Sequence, residues 1–120
     1  MVEQLDIFAA PAWVLDHFTQ NEWDAFNEWR ATPAGLEIST QFLKFTRQVR
    51  ARGYTTFSAE AVVNHIRWEQ SLEHGPDVEG FKINNNWKPY LARWAMMQSK
   101  DLDGFFVFRN KERERGPGYG

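Results

Sequence analysis

Leu36-Glu37-Ile38-Ser39-Thr40-Gln41-Phe42-Leu43-Lys44-Phe45-Thr46-Arg47-Gln48-Val49-Arg50-Ala51-Arg52 carries Ile38, Phe42, Phe45 and Val49 at intervals of three to four residues. That repeat lines one side of a helix. Lys44, Arg47, Arg50 and Arg52 fall on the far side and in the last turn, where positive side chains suit the negative end of the helix dipole. Gly53 closes the segment, as glycine commonly does after a helix. A helix over 36–52 must bury its apolar stripe, so the fold follows from what flanks it.

Upstream, Thr19-Gln20-Asn21-Glu22 is a capping-box pattern ahead of Trp23, Phe26 and Trp29 at a spacing of three. It predicts a helix over 20–30 that ends before Pro33. Downstream, Tyr54-Thr55-Thr56-Phe57 is a short β-favouring run, and Ser58 caps a third helix. That helix presents Val62, Val63, Ile66 and Gln70 on one face and runs to about residue 71. Residues 72–80, with His74-Gly75-Pro76 and several acids, read as an exposed loop. Pro89 has no N–H and is tolerated only in a first turn, which makes Asn86 the N-cap of a last helix. Trp87, Tyr90, Leu91, Trp94, Ala95 and Gln98 then share a face, with Lys88, Ala92, Arg93, Met96 and Lys100 opposite. Phe105-Phe106-Val107-Phe108 is too short for a helix and favours a strand, closed by Arg109.

The fold class is mainly α: a small helical domain with a short C-terminal β element, winged helix-turn-helix-like or an orthogonal helical bundle. The order of elements matches a winged helix-turn-helix. The loop of about 13 residues between the last two helices is longer than the three- to four-residue turn of the strict motif, which keeps the bundle beside it. A single globular domain is expected over 1–109. A disordered tail over 110–120 follows, charged and then Gly-rich.

The chain has 120 residues, 42% of them apolar, enough for one core and too few for two. The absence of Cys excludes disulfides, thiolate nucleophiles and Cys-ligated metals. With 6 Trp and 10 Phe, some rings are expected to face a partner. No basic leader and no apolar run of about 20 residues occurs, so a cytoplasmic protein without a membrane span is expected. The net charge of -2 hides an asymmetry: residues 1–37 hold seven acids and only Arg30, whereas 38–120 hold 13 Lys and Arg against nine acids. This split either orients the domain on a charged partner or reflects surfaces packed against each other.

His65-Ile66-Arg67-Trp68-Glu69, Phe81-Lys82-Ile83-Asn84-Asn85-Asn86, Tyr90-Leu91-Ala92-Arg93 and Gly104-Phe105-Phe106 follow one another in order. In this series the chain resembles a family of short, uncharacterised phage and prophage proteins with an H-x-I-R-W-E, K-[IL]-N-N-N, Y-A-R, G-F-F-x-x-R pattern. The resemblance covers roughly residues 19–109. It departs at Asn64-His65-Ile66, where the family's His falls on Asn64, and at Leu91, which stands between Tyr90 and Ala92. It implies a small phage-type protein and carries no reaction with it.

Catalytic signatures are missing. No nucleophile elbow and no phosphate-binding Gly loop occurs. Asp77, Glu79 and Lys82 lack the spacing of a metal-dependent nuclease. His65 and Glu69 are one helical turn apart, and Glu73 or His74 could supply a third ligand. The expectation is a surface His–Glu hydrogen bond, with no metal and no cofactor.

The sequence therefore points to a non-enzymatic DNA-binding or DNA-associated protein. Lys82, Lys88, Arg93 and Arg109 would anchor phosphates, and Asn84 and Asn85 would lie near base edges. The alternative is a protein-binding module that inhibits or modulates a host or defence protein. It would use Trp68, Arg67 and Leu72 together with the acidic first third. Trp68 lies opposite the Val62 and Ile66 stripe, so it either packs beneath the N-terminal helix or anchors an interface.

Overall fold

The computed structural model describes residues 10–75 and 85–107. Within them run α1 (Ala12–Leu15), α2 (Gln20–Arg30), α3 (Pro33–Ala51), α4 (Ala59–His74) and α5 (Lys88–Met96). Two 3₁₀ turns, Asn85–Trp87 and Lys100–Leu102, flank α5. The architecture is mainly helical, and α3 is its centre: α2, α4 and α5 all pack on it, and α5 also packs on α4. No helix among the described residues is long and apolar enough to cross a membrane.

Local chemistry sets the helix ends. In α2 the Thr19 hydroxyl accepts from the Glu22 N–H at 3.0 Å, and the Glu22 carboxylate accepts from the Thr19 N–H at 2.8 Å. This reciprocal pair satisfies two amides that would otherwise lack partners. α3 starts three residues earlier than its apolar spacing indicates. Thr32 accepts from the Gly35 N–H at 3.0 Å, and Pro33 takes the first helical position, where its missing N–H costs nothing. Gly35 has to be glycine because α2 ends against this turn: a β-carbon there would lie 1.9 Å from the Trp29 carbonyl oxygen. α4 likewise outlasts its expected end, running through His74. Gly75, at φ 87°, stops it and donates its N–H to the Ser71 carbonyl at 2.9 Å.

The apolar stripes of α3 and α4 are buried against each other and against α5. Ile38, Phe42, Val62, Val63, Ile66 and Leu91 are inaccessible to solvent or nearly so; each such side chain contributes about 1.5–3 kcal/mol through burial. A layer of rings closes the α2 side, with Phe18 stacked on Tyr90 at 4.1 Å and Trp29 on Trp87 at 5.4 Å between centroids.

α5 departs from the two-faced pattern expected of it. Leu91 and Ala95 are buried, but so are Ala92, Arg93 and Met96. Phe18 covers Arg93, and the Phe106 N–H donates to the Met96 sulfur at 3.3 Å. The helix is therefore enclosed on both sides.

Among the described residues no strand forms. Phe106 makes one isolated parallel bridge to Phe57, and the Phe57 N–H donates to the Phe105 carbonyl at 3.1 Å. Pairing goes no further because Ser58 already caps α4, which leaves 54–57 little edge to offer. Phe108, Arg109 and residues 110–120 lie outside the described residues.

Candidate functional site

Lys88 and Arg93 were the described cations expected to meet phosphate, and both are engaged within the fold. The Lys88 ammonium pairs with Glu60 in the first turn of α4. That hydrogen bond, followed by the Coulomb attraction, holds the Glu60 carboxyl below its ordinary value. Arg93 is 5% exposed. Its Nη1 donates to the Pro89 carbonyl at 3.1 Å, and its guanidinium lies 5.0 Å from the centre of the Phe18 ring. Burial pulls its pKa down to about 10. Arg93 is thus a buried packing residue and not the solvent-facing cation that the reading as a phosphate anchor needs. Asn85 opens the 3₁₀ turn Asn85–Trp87. With that turn in place Trp87, not Asn86, occupies the N-cap position of α5, and it makes no side-chain cap. Lys82, Asn84 and Arg109 lie outside the described residues.

Two described cations turned to solvent, Lys44 and Arg47, are on α3. Thr40, Lys44, Arg47 and Ala51 fall on its outer side and, with Leu43 and the half-buried Trp94 of α5, line a shallow open groove. Among the described residues no carboxylate pairs with Lys44 or Arg47. Arg30 reaches the same place from the end of α2. Its guanidinium lies 4.8 Å from the centre of the Trp94 ring, and burial lowers its pKa. Arg50, by contrast, is used internally, with its Nε donating to the Asp101 carbonyl at 3.0 Å. The sequence contains a signal for this face that apolar spacing does not show: positions 38–59 hold four Lys and Arg and no acid.

α4 presents a second surface. Trp68 is 63% exposed and Leu72 68% exposed, one turn apart on the side away from Val62 and Ile66. Trp68 therefore does not pack beneath the N-terminal helix. The neighbouring Arg67 is half-buried and donates to Asn64 at 3.2 Å.

His65 and Glu69 approach to 3.1 Å, and the His65 ring stacks on Phe45 at 3.8 Å. Glu73 and His74 do not complete that pair. They converge instead with Glu37 of α3.

Comparison with protein-family models, with curated proteins and with solved structures finds no match to this chain.

Proposed function

We propose that this chain is a small, non-enzymatic, phage-type DNA-binding protein that holds the sugar-phosphate backbone on the outer side of α3. The observation that carries the reading is the pair Lys44 and Arg47, solvent-facing, without a described carboxylate partner, and set beside Trp94 and the Arg30 guanidinium. Cations aligned along a groove attract phosphate by releasing condensed counterions. An aromatic ring at the groove wall offers a base something to stack on, which favours single strands. A winged helix-turn-helix would instead need α5 to enter a groove, and the burial of α5 on both sides favours α3 as the contacting helix.

The test is a fluorescence-anisotropy titration of single-stranded and random duplex DNA at two salt concentrations. Binding should weaken steeply with salt and be lost in the Lys44→Glu/Arg47→Glu double variant. Affinity that ignores both salt and the double substitution would sink the reading.

The Trp68 and Leu72 face supports a second reading, a protein-binding module. A partner with an apolar pocket would take the Trp68 ring as its anchor, as buried aromatics do at binding hot spots. A partner captured by the wild-type chain and lost with Trp68→Ala, while the double variant on α3 still captures it, would favour this reading over DNA binding.

A further inference from the structure

Glu37 on α3 and Glu73 and His74 at the end of α4 each bring one ligand atom, two carboxylate oxygens and an imidazole nitrogen, all within 4.8 Å of one another. Tetrahedral coordination at Zn–N and Zn–O lengths of about 2.0–2.2 Å puts ligand atoms about 3.4 Å apart. Closing the set therefore takes small rotamer changes and no movement of either helix. Glu73 is exposed and able to make that adjustment.

A second observation points to the same place. Gln70, one turn before Glu73 and His74, is 6% exposed. Its Nε2 donates to Glu37 at 3.3 Å and to Gln41 at 3.1 Å, and Gln41 donates to the same Glu37 oxygen at 3.3 Å. The Gln70 carbonyl oxygen, sealed from solvent, meets no donor among the described residues. That unpaired carbonyl belongs to the same amide that bonds Glu37, and a cation held beside Glu37 would offer it a partner. The two amide donors also fix Glu37, as outer-shell partners do for metal ligands. Among the described residues no Lys or Arg pairs with Glu37 or Glu73. The final carbonyls of α4 add partial negative charge at this end of the helix.

We propose that Glu37, Glu73 and His74 form a divalent-cation site that ties the end of α4 to α3. One imidazole nitrogen with two carboxylate oxygens suits Zn²⁺ and its transition-metal neighbours better than Mg²⁺ or Ca²⁺, which take oxygen ligands. Two carboxylates balance the charge of one such ion.

The experiment is calorimetric titration of the tag-free, chelator-treated full chain with ZnCl₂, paired with thermal melts. The site predicts one Zn²⁺ per chain and a melting temperature that rises with Zn²⁺. Glu73→Gln and His74→Gln should each weaken binding at least tenfold while the metal-free melting temperature stays close to wild type. Both substitutions lie in the last turn of α4, so a failure to fold does not obscure the result. His65→Gln, which breaks the other His–Glu pair, should leave Zn²⁺ affinity unchanged. Absence of a 1:1 binding event, or binding that survives Glu73→Gln and His74→Gln but disappears with His65→Gln, overturns the proposal.

Discussion

α5 and the outer side of α3 carry the same kinds of charge and use them in opposite ways. On α5, Lys88 is paired with Glu60, and Arg93 is stacked on Phe18 and bonded to the Pro89 carbonyl. On α3, Lys44 and Arg47 face water beside Trp94, and among the described residues neither is in an ion pair. The difference arises across the helix and not along it. α5 packs on α3 and α4 and is covered by Phe18 and Phe106, so Arg93 is held inside the protein while Lys88, nearer the surface, is engaged by Glu60. On the outer side of α3, Lys44 and Arg47 are exposed among the described residues, and their field extends into solvent, where a polyanion can meet it.

Charge reversal on the enclosed helix should have the largest effect. Arg93→Glu removes the Phe18 contact and the bond to Pro89 and leaves a buried carboxylate unpaired. That should cost about 3–5 kcal/mol, seen as a large fall in the thermal midpoint by circular dichroism. Arg93→Met, which keeps the volume, should stay within about 1 kcal/mol of wild type, because well-packed apolar replacements of buried ions are commonly neutral. If Arg93→Glu melts like the wild type, the contrast between the two helices is broken.

On the open helix, charge reversal should affect binding and spare the fold. Lys44→Glu/Arg47→Glu should weaken DNA affinity at least tenfold at low salt and reduce the salt slope by about 0.7 per lost phosphate contact on a single strand. Its melting temperature should stay within about 0.5 kcal/mol in stability terms, as for other surface changes. Anisotropy and melting curves on the same samples separate the two effects.

The two tryptophans Trp68 and Trp23 sharpen the same contrast on a smaller scale. Trp68→Ala should change stability by about 0.5 kcal/mol or less, whereas Trp23→Ala, at a fully buried ring, should cost about 3–5 kcal/mol. Urea unfolding of both variants checks this.

The smallest effect concerns the pair that engages Lys88. Glu60 is held below its ordinary value of 4.5 by Lys88. Its contribution is complete above that value and is lost as pH falls through the lowered value of the folded state. Glu60→Gln should therefore lower the melting temperature slightly in the neutral range and converge with wild type in acid, so that its decline with falling pH is flatter. Melts collected from pH 6 down to pH 3 would show it.

Features written within a few residues of each other were legible in the sequence. The Thr19–Glu22 box, the Ser58 cap, the stop at Gly53, and the buried set Val62, Val63, Ile66 and Gln70 depend on local spacing and short-range hydrogen bonds. So does the start at Thr32-Pro33, although the apolar repeat, which begins later, draws attention away from it. What spacing could not show is which faces are covered. Projection on a wheel divides α5 into two sides, but Phe18 and Phe106 arrive from distant parts of the chain and bury the second one. By spacing alone Arg93 therefore falls among the surface cations. Spacing puts packing of Trp68 beneath the N-terminal helix ahead of an interface, and only its surroundings in three dimensions leave it in water. Glu37 meets Glu73 and His74 across more than thirty residues, a convergence that no local pattern announces.

The isolated bridge between Phe57 and Phe106 bears on how the chain assembles. Leu102, Phe105 and Phe106 are buried, and the Phe106 ring lies 5.5 Å from Phe42 at the heart of α3. These contacts span about fifty residues or more, so closing them costs more chain entropy than any helix-forming step. As the polypeptide emerges from a ribosome, α2, α3 and α4 can form first, but the side of Phe42 and Phe57 stays uncovered until residue 106 has cleared the exit tunnel. Completion of the core therefore waits for residues 102–106, and a chain cut before Leu102 would leave part of it open to solvent.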